Sequence, residues 1–146
     1  MRGVGRSALF GLAAAAAMLL AACGGAAPAM TPSPAPATSL APQLPAEVSV
    51  ADAAAMRDDG AFVLDVREPD EWAAGHIAGA TLIPLGQLPD RLGEVPHDRT
   101  VVVVCRTGHR AAQGRDILLQ AGFAASSMSG GMTDWIAAGM PVITGP

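Results

Sequence analysis

Past residue 46 the chain alternates between two hydrophobic periods. Glu47 to Val50 reads as a short first strand. Ala51 to Arg57 is Ala-rich and helical in character, and Asp59-Gly60 marks a turn. Ala61 to Val66 is an apolar run of strand length that meets charge at its end. Pro69 to Ala74 opens with proline and then acids, as a short helix does. Thr81 to Ile83 is expected to be a short strand and Leu85 to Leu92 a short helix. Val101-Val102-Val103-Val104 is the clearest strand: four consecutive β-branched residues predict burial on both faces, as in a parallel sheet. A helix is expected from about Arg110 to Ala121, ended by Gly122. Phe123 to Met128 reads as the last strand, and Met132 to Ala138 as a closing helix stopped by Gly139 and Pro141. Strands alternating with helices predict one α/β domain with a doubly wound, mostly parallel sheet and helices on both faces. Ligands of such sheets sit beyond the carboxyl ends of the strands.

The first 46 residues have another character. They contain two arginines and no acid, and all 13 acids lie from Glu47 onward. Arg2 and Arg6 precede an apolar stretch from Ala8 to Ala22, short of the ~20 residues that a membrane-spanning helix needs. Its length and flanks fit the apolar core of a secretion signal over residues 1–22. Leu20-Ala21-Ala22-Cys23 looks like a bacterial lipobox, in which small residues allow cleavage and the thiol receives lipid. Cys23 is therefore expected to be lipidated, anchoring the protein to a membrane of the cell envelope, on its periplasmic or extracellular face. Residues 24–46 are uncharged and carry six prolines, among them Pro32, Pro34 and Pro36. With Cys23 they read as a flexible tether of polyproline character, reaching roughly 70 Å at ~3.1 Å per residue when extended. The folded domain is then residues 47–146.

Without residues 1–22 the chain has 7 basic and 13 acidic residues, a net charge of −6, and every basic residue is Arg. This balance argues against nucleic acid as a partner and against electrostatic attachment to an anionic bilayer.

The residue most suited to chemistry is Cys105, directly after the valine strand. The segment Cys105-Arg106-Thr107-Gly108-His109-Arg110 then leads into a helix. A loop between strand end and helix start can aim several backbone N–H groups at one point. The helix N-terminus adds about half a positive charge there. Arg106 and Arg110 add full charges, and Gly108 permits backbone torsions that other residues resist. Together they should favour a thiolate that attacks an electrophilic sulfur, and cradle an anionic substrate or leaving group. A buried structural cysteine is the plainer alternative. His76, His97 and His109 show no metal-ligand spacing, and no metal is expected.

Here the chain resembles the rhodanese family, over about residues 48–144. Leu64 to Trp72 is similar to the family's first signature, which Gly75-His76-Ile77-Ala78-Gly79-Ala80 continues. The Cys105 segment resembles the six-residue active loop of sulfurtransferases. Gly130-Gly131-Met132-Thr133-Asp134-Trp135 with Gly139-Met140-Pro141-Val142 resembles the C-terminal signature. The resemblance implies that Cys105 takes the outer sulfur of a donor such as thiosulfate and holds it as a persulfide. A thiophilic acceptor, cyanide or a thiol, then removes it, with no cofactor. A basic residue after the cysteine, Arg106 here, is associated in the family with thiosulfate. Asp65 and Arg67 match an Asp-x-Arg whose implied role is an ion pair supporting the loop, and His76 is implied to stabilise a turn. Trp72 and Trp135 read as core aromatics, Trp72 standing where a smaller aromatic is more usual.

Two other functions compete. A neighbouring family cradles phosphate with Cys-x5-Arg, for phosphatase or arsenate reductase chemistry; here the spacing is Cys-x4-Arg, one residue short. A persulfide carrier that exchanges sulfur with a protein partner would use the same cysteine and stays open.

Overall fold

The computed structural model describes residues 44–146. The expected signal segment 1–22, the expected lipidation at Cys23 and the tether through residue 43 lie outside the described residues. Among the described residues no helix is long and apolar enough to cross a membrane.

Five strands form one fully parallel sheet: β1 (Glu47–Val48), β2 (Phe62–Asp65), β3 (Thr81–Leu82), β4 (Val101–Val104) and β5 (Ala125–Met128), in the order β1-β5-β4-β2-β3. Four helices connect or follow them: α1 (Val50–Asp58), α2 (Pro69–Ala74), α3 (His109–Gln120) and α4 (Gly131–Ala137). The expected doubly wound α/β domain is what the chain forms.

The valine strand occupies the centre, and its side chains alternate. Val101 and Val103 pack on one face with Leu64, Ala111 and Leu118. Val102 and Val104 pack on the other with Ala53, Met128 and Trp135. All four valines are buried, because helices cover both faces. In α3, Gly114 lets the helix approach the sheet: a Cβ there would lie 3.1 Å from Val103 Cγ1. On the opposite face Arg57 of α1 lies over the Trp135 ring of α4, 5.4 Å from its centroid.

Boundaries moved where short-range chemistry decided them. Ser49 ends the first strand early, because its Oγ accepts from the Asp52 amide and caps α1. The segment expected as a helix over Leu85 to Leu92 is instead two 3₁₀ turns, Leu85–Asp90 and Leu92–Glu94. Pro89 lacks the N–H an α-helix needs there, and Gly86 and Gly93 weaken it further. The Pro45 carbonyl accepts from Ser126 Oγ at 2.6 Å. The Ala46 carbonyl accepts from the Ser127 amide at 2.9 Å.

The strand order sets the position of the site. From β2 the chain steps outward to β3, and from β4 it steps the other way to β5. The connections diverge at the carboxyl ends of β2 and β4, and that divergence opens a crevice. Asp65 ends β2 and Cys105 follows β4 at this same end of the sheet.

Candidate active site

Cys105 is 1% exposed, at the floor of the loop between β4 and α3. It is the one free cysteine among the described residues. Gly108, at φ +95°, caps α3 without a side-chain hydrogen bond and donates its amide to Cys105 Sγ at 3.1 Å.

The loop's shape is imposed from α4. The Met132 amide donates to the Cys105 carbonyl at 2.8 Å, and the Thr133 amide to the Arg106 carbonyl at 3.0 Å. Thr133 Oγ1 donates to the same Arg106 oxygen at 2.9 Å. A trans peptide points its C=O and the following N–H in opposite directions. Tying these carbonyls to α4 therefore turns the amides of Arg106 and Thr107 away from α4. Among the described residues no backbone carbonyl accepts from the amides of Arg106, Thr107, His109 or Arg110. Those donors, with Gly108, are disposed to receive an anion.

This clamp requires Gly131. Its φ is +58°, and a Cβ would stand 2.7 Å from the carbonyl carbon and oxygen of Arg106, and closer still to the Cys105 oxygen. The Gly130-Gly131 pair was visible as part of a signature, but its contact with the cysteine loop was not.

Asp65 and Arg67 form a buried ion pair. Arg67 Nε donates to both carboxylate oxygens at 2.9 Å, and Nη2 to Asp65 Oδ2 at 2.6 Å. Arg67 also donates to the carbonyls of Glu71 and Gly75, at 3.0 and 2.9 Å. The pair thus fixes the course of the chain from β2 through α2.

Arg110, expected to lend its charge to the loop, is engaged by a carboxylate. Its Nη2 donates to Glu71 Oε1 at 2.8 Å, across 39 residues of chain. Burial alone would raise the Glu71 carboxyl. The hydrogen bond from Arg110, the Glu68 amide and the charges of Arg110 and Arg67 outweigh it and hold Glu71 below the ordinary range. Burial likewise works against the Arg110 guanidinium, but the hydrogen bond and charge of Glu71 prevail, with Cys105 and Glu68 adding, and raise it. Arg106 and Thr107 are exposed at the mouth, and Arg106 makes no ion pair among the described residues. His109 is exposed, with Nδ1 3.2 Å from Gln113 Nε2.

His76 is buried and ties the chain end in place. Its amide and carbonyl pair with Ile143, and its Nδ1 lies 3.0 Å from the Trp72 carbonyl. Trp135 is a core aromatic as expected, but Trp72 is not. It is half-buried and stacks on the His76 ring with centroids 3.5 Å apart. The reason is that α2 has no buried residue and contributes none to either hydrophobic cluster.

No group of three or more His, Cys, Asp or Glu side chains gathers in a metal-binding arrangement among the described residues. A depression of about 360 Å³ lies by the amino ends of β2 and β4, lined by Met56, Ala61, Arg99 and Thr100 among others. It is at the opposite end of the sheet from Cys105, so the candidate chemistry does not use it.

The profile described as "Rhodanese-like domain" matches residues 49–138. A sulfurtransferase of Allochromatium vinosum is 36% identical over 83 residues, which cover 56% of this chain and 78% of that one. The thiosulfate sulfurtransferase GlpE of Stutzerimonas stutzeri is 34% identical over 82 residues, 56% of this chain and 75% of that protein. With longer relatives the chain matches a part only, down to 19% of their length. Among solved structures, a rhodanese-related protein of Thermoplasma volcanium superposes with a TM-score of 0.63 at 33% identity, covering 66% of this chain and 96% of that one. Profile, relatives and fold agree: this chain belongs to the rhodanese family.

Proposed function

We propose that the protein is a sulfurtransferase that carries sulfane sulfur as a persulfide on Cys105, with thiosulfate as a donor. One observation supports this above the rest: Cys105 Sγ lies at the floor of a loop whose Gly108 amide donates to it and whose neighbouring amides are unclaimed by carbonyls among the described residues. In the first step the Cys105 thiolate attacks the outer sulfur of thiosulfate. A new S–S bond forms, the bond to the sulfonate sulfur breaks, and sulfite leaves with its electron pair. The terminal sulfur of the persulfide is anionic and takes the loop amides as donors. In the second step cyanide or a thiolate attacks that terminal sulfur, the S–S bond breaks, and the Cys105 thiolate returns. The near-complete enclosure of Sγ suits a slender terminal sulfur atom. Arg106, exposed at the mouth, would attract the anionic donor, and the Asp65–Arg67 pair would support the crevice wall opposite the loop.

A second reading concerns location. We propose that Cys23 carries lipid and that the proline-rich tether after it holds the domain off a cell-envelope membrane, on the periplasmic or extracellular side. The lipobox-like tripeptide and the charge break at Glu47 support it.

Mass spectrometry of the protein after incubation with thiosulfate tests the chemistry. The expected result is a Cys105 peptide heavier by one sulfur atom, reversed by cyanide with release of thiocyanate. Cys105→Ser should form neither adduct nor thiocyanate while keeping its circular dichroism. A Ser variant that still produced thiocyanate at the parent rate would overturn the assignment.

A further inference from the structure

We propose that Glu71, by pairing with Arg110, sets the net charge at the mouth over Cys105 and thereby discriminates among donors by their charge. This rests on the Cys105 reading above and adds to it a selectivity device outside the loop.

Glu71 is held from three sides. Its Oε1 accepts from Arg110 at 2.8 Å, its Oε2 accepts from the Glu68 amide at 3.2 Å, and its own carbonyl accepts from Arg67. The carboxylate therefore has a fixed place in the short helix after β2, across the crevice from the cysteine loop. Glu71 and Arg110 are 22% and 30% exposed, shielded enough for the pair to persist and exposed enough to be felt at the mouth. Arg110 stands in the first turn of α3, directly after the Cys105 loop.

Two arginines in the loop promise a doubly positive mouth. The opposed carboxylate removes one of those charges, leaving Arg106 as the cation that makes no ion pair among the described residues. A mouth of that charge discriminates less strongly in favour of a dianion such as thiosulfate than a doubly positive one would. It admits singly charged sulfane donors such as organic thiosulfonates, which pass their outer sulfur to the Cys105 thiolate as a sulfinate leaves with the bonding pair, on more equal terms. Glu71 touches no reacting atom, so it is a positioning residue that acts through Arg110.

Glu71→Gln isolates the charge, because the amide oxygen can still accept from Arg110. The probe is alkylation of Cys105 by anionic iodoacetate and by neutral iodoacetamide at low ionic strength, on the full chain. Both are small reagents with the same reacting carbon, so their rate ratio reports local potential and not access. The ratio should rise about threefold or more in Glu71→Gln, and shrink toward the parent value in high salt. Arg110→Gln should lower it. In turnover, kcat/KM for thiosulfate should rise in Glu71→Gln relative to that for a singly charged organic thiosulfonate. If both alkylation rates change together and the ratio stays fixed, Glu71 is structural only and the proposal fails. If no donor yields thiocyanate in any variant, the sulfurtransferase reading fails instead, while the alkylation ratio still decides the charge claim.

Discussion

Replacing Gly131 by alanine should detach the cysteine loop from α4 and destabilise the domain well beyond an ordinary glycine substitution. Two costs add at this position. Gly131 has φ +58°, in a region that costs an L-residue roughly 1–2 kcal/mol. The new Cβ would also meet backbone, at 2.7 Å from the Arg106 carbonyl carbon and oxygen. Backbone atoms cannot rotate aside as a side chain does, so the loop or α4 must shift. Overpacking of this kind costs typically about 1–3 kcal/mol. The total is about 2–5 kcal/mol, a large part of the roughly 5–15 kcal/mol that stabilises a domain. Gly122 supplies the control. It has φ +86°, but nothing lies within 4 Å of its Cβ position, so Gly122→Ala bears the torsional cost alone. The excess loss in Gly131→Ala is therefore about 1–3 kcal/mol, or a melting temperature lower by roughly 4–24 °C than that of Gly122→Ala. Thermal and urea unfolding of the two variants measure this directly. The shift should also lengthen the bonds from the Met132 and Thr133 amides to the loop carbonyls, so sulfur loading on Cys105 should fall with stability. Equal melting temperatures for the two variants would refute the steric clamp.

Asp65→Asn should cost about 3–5 kcal/mol, because it leaves the Arg67 guanidinium buried without its counter-charge, and urea midpoints will show it; a loss under about 1 kcal/mol would mean the pair contributes little. Glu71 has a carboxyl held below the ordinary glutamate value in the folded state. Its stabilising contribution is therefore present above the unfolded-state pKa and lost as pH falls through the folded one. The stability difference between the parent and Glu71→Gln should be largest at neutral pH and close as pH drops below the ordinary carboxylate range; a difference independent of pH would contradict the ion pair. Cys23→Ser should move the protein from the membrane fraction to the soluble or unprocessed one, and equal membrane association of both forms would dismiss the tether.

Much of this protein was legible in its sequence, because local chemistry carried it. Four β-branched residues in a row can only be satisfied by cover on both faces, and Val101–Val104 has it. A cysteine between a strand end and a helix start must stand at the carboxyl edge of the sheet, where Cys105 is. The Asp65–Arg67 ion pair was what the family resemblance implied, and the two residues form it within one short segment. What the sequence could not show depends on residues brought together by the fold. The 3₁₀ turns over Leu85–Glu94 arise where apolar spacing suggested a helix but Pro89 withholds a hydrogen bond. Trp72 is aromatic in a helical segment, yet that segment has no buried residue and offers it His76 in place of a core. Arg110 reads in the sequence as a cation near Cys105, and only the pairing of β2 with β4 sets Glu71 beside it. The same pairing leaves β5 next to β4, so α4, which follows β5, starts against the loop; only then does Gly131 matter. Propensity and pattern act over a few residues, whereas charge compensation and steric clamping act across space, and the strand order decided which groups would meet.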